Sequence, residues 1–295
     1  MSHPRPIAVI GAAGAQGGAV VTALIDRGIR PRAVTRDPAS RRARALVERG
    51  IEVVGADLAD EDALTEAFTG VRGVFALTTP FEDGTDAEVE QGLHLIAAAR
   101  RASTPHLVFS SVASADQHSG VPHFDSKVVI EAALADSGIP YTVVGPTYFF
   151  DNLLGGLDQL RAGVFELPLP SNIALQQLSR RDLGRFVATI LADPARFTGQ
   201  RIDIASDALT PQQMANALSR VLARPVRLVT DDPARIGSAD MRAMFTFLAD
   251  RGYAADMTRV HRAFPDVGWQ RFDDWLEEIR PVIAPDAAPR HGAGA

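Results

Sequence analysis

Short apolar runs and longer amphipathic segments alternate along the first half of the chain. Ile7–Ile10 is a fully apolar run long enough for a buried strand, and Ala19–Ile25 carries apolar residues at helical spacing. The same order repeats, with further strands predicted at 31–35, 51–54, 74–77, 106–109 and 141–144. Repeated βα units predict a parallel sheet with helices on both faces, and right-handed crossovers make that sheet doubly wound.

The helices between these strands are marked by capping residues and by terminal glycines. Asp37 followed by Pro38 is typical of a helix start, so Asp37 is predicted to cap a helix that begins at Pro38 and continues over 41–49. Asp125 is the candidate cap of a later helix, which would place Lys127 in its first turn. The other connecting helices are predicted at 60–68, 88–101 and 128–135.

The regular alternation ends after Asn152. Helical segments are predicted at 153–160, 182–191, 211–222, 241–248 and 272–279, and strands at 202–204 and 226–229. We therefore predict a first domain over 1–152 and a smaller C-terminal α/β lobe over 153–280, part of which packs back on the first sheet. Residues 281–295 are rich in Pro, Ala and Gly and are predicted to be a disordered tail.

Composition and charge narrow the classes of ligand. The 295 residues carry a net charge of −6, which argues against nucleic acid and anionic membranes and favours a small-molecule ligand. The chain has no cysteine, so disulfides and thiolate metal sites are excluded, and no metal is expected. We find no apolar run typical of a signal peptide or a membrane span, and a cytoplasmic location is the expectation.

Three glycines follow the first strand at a spacing of three residues: Gly11, Gly14 and Gly17. A strand, a glycine turn and a helix in this order hold the pyrophosphate of a dinucleotide. The first glycine makes the tight turn, the second lets the backbone approach the phosphates, and the third lets the helix pack on the strand. The helix N-terminus then attracts the anion. This first domain is therefore predicted to be a dinucleotide-binding Rossmann domain.

Arg36 indicates which dinucleotide is bound. It lies 19 residues after Gly17, at the end of the second predicted strand. An acidic residue near this place binds the ribose hydroxyls of NAD, whereas an arginine accommodates the 2′-phosphate of NADP. We therefore predict NADP(H), and we expect Arg41, Arg42 and Arg44 to lie on a solvated helix face.

Two further turns lie at the carboxyl ends of predicted strands. Asp57, in the turn after the third strand, either receives the adenine amino group or serves as a helix-start acid, and the sequence leaves both open. Thr78, Thr79 and Pro80 end the fourth strand at the edge where open α/β sheets bind ligands.

Several segments together resemble the NmrA-like group of atypical short-chain dehydrogenase/reductases, most closely the human redox-sensor type. The matching segments are GAAGAQGG (11–18), TRDP (35–38), GADL (55–58), VFSSVASA (108–115), HFDSK (123–127), PTYFFDNLL (146–154), DLG (182–184) and MRAMFTFLADRGY (241–253). The resemblance covers nearly the whole chain except the tail. It implies a site for NADP(H) formed by Gly11, Ala13, Gly14, Ala15, Gln16, Gly17, Arg36, Asp57, Leu58, Thr78, Thr79, Pro80, Lys127, Phe149 and Asn152.

The chain departs from the wider superfamily at the catalytic motif. Active members use Tyr-x-x-x-Lys, in which tyrosine passes a proton to the carbonyl oxygen. Here His123 stands in place of the tyrosine and Lys127 is retained. Lys127 is interpreted as a contact to the nicotinamide ribose. His123 is either a general acid or a histidine of the pocket wall, and the charge of Lys127 and the helix N-terminus weaken the first reading.

A substrate pocket is predicted from aromatic residues next to the cofactor segment. Tyr148 and Phe150 are expected to line it with Ser111, while Val112 takes the position that faces the nicotinamide. These features favour an NADPH-dependent reductase of a quinone, enone or other small apolar carbonyl acceptor. The alternative is an NADP(H)-sensing regulator that acts through a protein partner, and a homodimer is left open. Epimerase or dehydratase chemistry needs the absent tyrosine.

Overall fold

The structure is a computed structural model that describes residues 5–284, so residues 285–295 of the predicted tail lie outside it. Its strands are β1 (Ile7–Ile10), β2 (Pro31–Thr35), β3 (Glu52–Gly55), β4 (Gly73–Leu77), β5 (Leu107–Ser110), β6 (Tyr141–Pro146), β7 (Tyr148–Phe149), β8 (Val164–Glu166), β9 (Leu175–Leu178), β10 (Gln200–Ile204), β11 (Asp207–Leu209) and β12 (Arg227–Val229). Its α-helices are α1 (Ala15–Asp26), α2 (Arg41–Glu48), α3 (Glu61–Phe68), α4 (Thr85–Arg101), α5 (Pro122–Asp136), α6 (Leu157–Arg161), α7 (Arg180–Ala192), α8 (Pro211–Leu222), α9 (Ala239–Asp250), α10 (Met257–Ala263) and α11 (Phe272–Ile283).

Seven parallel strands form the main sheet in the order β10-β6-β5-β4-β1-β2-β3. The strand order reverses between β1 and β4, because β2 and β3 extend the sheet to one side and β4, β5 and β6 to the other. A reversal of this kind opens a crevice at the carboxyl ends of the strands, where such sheets bind ligands. The doubly wound Rossmann-type α/β fold predicted from the sequence is confirmed.

The sheet is buried on both faces by alternating side chains. Ile7 and Val9 of β1 belong to the core under α1 and α7, whereas Ala8 and Ile10 belong to the core under α3, α4 and α5. The helix α7 and the strand β10 come from the second half of the chain and return to this sheet. No helix within residues 5–284 combines the length and apolar character that a membrane span requires.

The remaining elements of the second half surround a core of their own. It includes Phe165, Leu218, Phe247 and Phe272, supplied by β8, α8, α9 and α11. Two small sheets, β11-β9-β7 and β12-β8, complete this lobe. Thr210 caps α8 through a capping box with Gln213, directly before the helix predicted at 211–222.

Three local expectations are wrong. Ser40, not Asp37, caps α2 by accepting the N–H of Ala43, because the Asp37 carboxylate instead accepts the N–H of Ala39 in the preceding turn. The helix α5 begins at Pro122 rather than after Asp125, so Lys127 lies in its second turn. The helix α11 continues past the predicted tail boundary to Ile283, since that side chain is buried in the C-terminal core.

Replacing Gly184 by alanine is expected to lower the free energy of unfolding by about 1–3 kcal/mol. The helices α1 and α7 approach so closely that a Cβ atom on Gly184 would lie 2.4 Å from the carbonyl oxygen of Ala19. Urea denaturation measures the loss. Gly18→Ala is the control, because its Cβ atom would lie at an ordinary 3.5 Å from the carbonyl oxygen of Ala12. Equal stabilities of Gly184→Ala and the wild-type protein would contradict the close packing.

The free energy of unfolding is expected to fall as the pH decreases below neutrality, because His106 is buried as a neutral imidazole. Burial lowers the pKa of His106 to about 4. The unfolded chain, with a histidine pKa of about 6.5, therefore takes up the proton first. The neutral His106 contributes fully to the free energy of unfolding above about pH 6.5. This contribution, on the order of 1–3 kcal/mol, is lost as the pH falls through the folded-state pKa of about 4. Urea denaturation at a series of pH values tests it, and a His106→Gln variant with the same slope as wild type would refute it.

Candidate functional site

Two cavities meet where the strand order reverses, at the carboxyl ends of the central strands. The outer cavity, of about 450 Å³, lies over β1, β2 and β3, and the inner cavity, of about 660 Å³, lies over β4, β5 and β6. Leu77 and Thr79 line both, so the two form one continuous cleft. The predicted residues in the outer cavity are Gly11, Ala13, Gly14, Arg36, Asp57, Leu58 and Thr79. Those in the inner cavity are Gln16, Thr78, Thr79, Pro80, Ser111, His123, Lys127, Tyr148, Phe149 and Asn152.

The glycine turn lies at the junction of the two cavities. Gly11 has a φ of +63°, a conformation that favours glycine, and it turns the chain out of β1. A Cβ atom on Gly17 would lie 2.3 Å from the carbonyl oxygen of Gly11, so α1 packs directly on the turn. Gly14 is the N-cap of α1, and within the described chain no side chain caps this helix. Ala15 begins the helix, whose free N–H groups and positive dipole end therefore suit an anion such as a pyrophosphate.

Arg36 extends from the end of β2 into the outer cavity, as the sequence predicts. Its Nη1 donates to Oε2 of Glu82 at 2.7 Å, and this hydrogen bond is the main reason that the pKa of Arg36 is raised. Arg42 and Ser40 line the same cavity from the N-terminus of α2. Arg42 is exposed, as the sequence predicts, and it lines the outer cavity as well, which the sequence did not predict.

The adenosine end of such a cleft needs a group that recognises the base. Asp57 lines the outer cavity, and its Oδ1 accepts the N–H of Ala59, while Asp60 caps α3. Gln91, which sequence reasoning missed, also lines it, and its buried Oε1 has no hydrogen-bond partner among residues 5–284. An acceptor without a partner suits a donor such as the adenine amino group. The residues present therefore fit an adenine dinucleotide.

Lys127 lies at the wall of the inner cavity but is held differently from the prediction. Its Nζ donates to the carbonyl oxygen and Oγ1 of Thr78, both at 2.8 Å, and lies 2.7 Å from Oε1 of Glu88. These three contacts use all three protons of the ammonium group. Burial lowers the pKa of Lys127, and the Glu88 carboxylate opposes that shift. The side chain thus fixes the end of β4 and must exchange a partner to reach a ribose.

Glu88 is the residue that sequence reasoning missed at this point. It lies on α4, is fully buried, and accepts hydrogen bonds from Thr78 at 3.0 Å and from Ser126 at 2.5 Å. A buried carboxylate needs a cation and hydrogen-bond donors, and here it has both. The positive charge of Lys127 is therefore compensated inside the protein rather than directed at the cavity.

His123 forms a pair with Asp240 across the two lobes. Its Nδ1 lies 2.8 Å from the carboxylate of Asp240, which also accepts the backbone N–H of His123 at 3.0 Å. Asp240 thereby orients the imidazole and supplies a counter-charge for its protonated form. The sequence-based objection to His123 as an acid rests on the charge of Lys127 and on the helix N-terminus. In the structure Glu88 compensates the charge of Lys127. His123 does lie in the first turn of α5, where the carboxylate of Asp240 opposes the positive end of the helix dipole.

Aromatic and sulfur-containing side chains make up the rest of the inner cavity. Its walls include Phe81, Phe124, Tyr148, Phe149, Met241, Met244 and Tyr253. Burial raises the pKa of Tyr148 to about 12, although a hydrogen bond with Asn152 opposes the shift. Phe150 was predicted in this pocket, and that prediction is wrong. Its ring is fully buried against Phe272 and Trp275 in the C-terminal core.

The serine positions of the inner cavity are already engaged. The hydroxyl of Ser111 donates to Glu131, and that of Ser110 donates to Oε1 of Gln16 at 2.8 Å. Val112 lines the cavity next to them. These hydroxyls are therefore occupied as donors, and His123 is the better placed proton donor. Between residues 5 and 284, no three or more His, Cys, Asp or Glu residues form a cluster suited to a metal ion.

Comparison with known proteins gives a family match and two similar enzymes. The model of the NmrA-like family matches residues 4–276. The chain is 30% identical over 224 residues to the NAD(P)H azoreductase of Xenophilus azovorans, covering 76% of each chain. It superposes with a TM-score of 0.79 on the NADPH-dependent quinone oxidoreductase of Escherichia coli complexed with NADPH, at 26% identity, covering 92% of this chain and 99% of that one.

A further solved structure has the same fold but another described role. It is Nmra, a negative transcriptional regulator in complex with NAD, with a TM-score of 0.78 and 21% identity. The match covers 95% of this chain and 97% of the regulator. At this identity the likeness shows the fold alone.

Proposed function

This chain belongs to the NmrA-like family, and we propose that it is an NADPH-dependent oxidoreductase that reduces a small apolar acceptor such as a quinone, an enone or another carbonyl compound. The observation that carries the proposal is the continuous cleft, which joins a phosphate-binding helix N-terminus and Arg36 at one end to an aromatic cavity with His123 at the other. Its relatives support the reaction class, since they are named quinone oxidoreductase and azoreductase.

The residues that would hold the coenzyme divide between the two cavities. The turn of Gly11 and Gly14 and the N-terminus of α1 suit the pyrophosphate, and Arg36 with Arg42 suits the 2′-phosphate. Thr79 and Pro80 line the passage to the inner cavity, where Phe149 and Asn152 would bound the nicotinamide. Bound NADPH supplies a hydride to the acceptor.

His123 would complete the reduction by donating a proton. When the acceptor gains a hydride, negative charge develops on its oxygen, and one proton is needed to form the hydroxyl group. In the structure Nδ1 faces Asp240, which leaves Nε2 of the imidazolium as the donor to the acceptor. The proton leaves Nε2, the oxygen gains it, and the neutral imidazole is reprotonated from solvent.

The charges of the inner cavity favour an uncharged acceptor. The ammonium of Lys127 is paired with Glu88, the carboxylate of Asp151 is paired with Arg180, and His123 is paired with Asp240. The surrounding aromatic rings offer apolar contact and stacking to a flat ring system. Carboxylated or phosphorylated acceptors would need one of these pairs to open.

A second candidate is an NADP(H)-sensing regulator that acts through a protein partner. Two observations favour it: the tyrosine of the superfamily is replaced by His123, and a protein of the same fold is described as a negative transcriptional regulator. In this case coenzyme binding would shift the relative position of the lobes and thereby change a partner surface.

A turnover assay separates the two candidates. The protein is mixed with NADPH and a panel of benzoquinones, naphthoquinones and enones, and the absorbance of the reduced nicotinamide is followed against samples without protein. The reductase proposal predicts protein-dependent oxidation of NADPH with at least the quinones. Tight binding of NADPH without oxidation by any acceptor would contradict the reductase and favour the regulator.

A further inference from the structure

The outer cavity contains an acidic residue directly opposite Arg36. Glu82, in the loop between β4 and α4, accepts a hydrogen bond from Arg36 at 2.7 Å, and both side chains line the cavity. The side chain of Arg36 is 66% exposed and that of Glu82 is 54% exposed. Ion pairs with this exposure contribute little to stability, so a ligand can replace either partner at little cost.

The pair combines the two groups that usually distinguish the coenzymes. A carboxylate near the end of β2 accepts the ribose hydroxyls of NAD, and an arginine there binds the 2′-phosphate of NADP. In this chain Arg36 comes from β2 and the carboxylate of Glu82 comes from the loop after β4. Asp57 lines the same cavity and adds a second negative charge close to Arg36.

We propose that Glu82 is a specificity-determining residue that competes with the 2′-phosphate for Arg36 and accepts the ribose hydroxyls of the unphosphorylated coenzyme, so that the site binds both NADP(H) and NAD(H). The inference rests on the proposed function, because it assumes that the outer cavity holds the adenosine half. A phosphate dianion bound to Arg36 either displaces Glu82 or lies close to its carboxylate, and both reduce the preference for NADP(H). The unphosphorylated coenzyme meets no such repulsion.

Glu82→Gln tests the proposal by removing the charge while keeping the length of the side chain. Dissociation constants for NADP⁺ and NAD⁺ are measured by calorimetry, a readout that does not depend on turnover. The variant is expected to bind NADP⁺ about fivefold more tightly and NAD⁺ about twofold to threefold more weakly, as the loss of one exposed charge contact predicts. The gain for NADP⁺ should shrink at high salt, because exposed charges are screened.

Asp83→Asn is the matched control. Asp83 neighbours Glu82 but raises the pKa of Arg36 only slightly and through its charge alone, without a hydrogen bond. Its removal is expected to change the ratio of the two dissociation constants by less than about twofold.

Three results would overturn the inference. An unchanged ratio in Glu82→Gln would show that Glu82 takes no part in selection. An equal shift in Asp83→Asn would show that only the net charge of the loop matters. Binding of neither coenzyme to the wild-type protein would remove the proposed function and the inference with it, whereas the first two results leave the proposed function intact.

Discussion

Replacing His123 by phenylalanine is expected to lower the turnover of NADPH and quinone by roughly 100-fold, while the dissociation constant of NADPH stays within about twofold of wild type. A positioned general acid contributes about 10²–10⁴-fold to a rate, and phenylalanine has no proton to give. The ring of His123 packs among Phe81 and Phe124, with centroid distances of 5.6 and 4.8 Å, so another aromatic ring suits the site. Steady-state kinetics with calorimetry of NADPH binding measure the two effects separately.

Two further variants show whether the loss is due to proton donation. His123→Gln keeps a hydrogen-bond donor near Asp240 but cannot titrate, so it should lose nearly as much turnover as the phenylalanine variant. Asp240→Asn should lose about tenfold in turnover, because the imidazole remains but loses its orientation and counter-charge. Turnover unchanged in His123→Phe would assign the histidine to the wall of the cavity.

Replacing Arg36 by glutamate is expected to weaken NADPH binding about 100-fold and NADH binding much less. A bidentate charge-assisted contact to a phosphate contributes more than a neutral hydrogen bond. The expected 100-fold loss of affinity corresponds to about 2.7 kcal/mol. The new carboxylate would also face Glu82, which lines the same cavity. Titration of the variant with each reduced coenzyme measures the two dissociation constants.

Arg44→Glu provides the control for this substitution. Arg44 lies on α2, the helix that follows Arg36, and it is exposed. Its replacement by glutamate changes the net charge by the same amount as Arg36→Glu. It should weaken NADPH less than about threefold, since an exposed charge outside the cavity acts only at long range. Equal losses of NADPH and NADH in Arg36→Glu would refute the assignment of Arg36 to the 2′-phosphate.

Sequence reasoning found the parts of the molecule that depend on local pattern. The spacing of apolar residues predicted the parallel sheet, and the glycine spacing placed Gly17 against the carbonyl oxygen of Gly11. The position of Arg36 at the end of β2 was predictable, because the length of the apolar run sets where that strand ends. These predictions succeed because each depends on residues that are close in the chain.

Contacts between distant parts of the chain were not predictable in the same way. Asp240 is 117 positions from His123, and only the docking of α9 against α5 brings their side chains together. Glu88 reads as one more acid of an amphipathic helix, although it is the fully buried partner of Lys127. Phe150 was misplaced because periodicity does not show which of three consecutive aromatic residues turns inward where β7 ends.

The central claim is that the cleft between β1 and β4 holds a pyridine nucleotide by its pyrophosphate and its phosphorylated ribose. Calorimetric titration of the wild-type protein with NADPH and with NADP⁺ tests this claim most directly. We expect saturable binding of one coenzyme per chain, weakened by Arg36→Glu. If neither NADPH nor NADP⁺ gave any binding heat or protected the protein against unfolding, the claim would be contradicted.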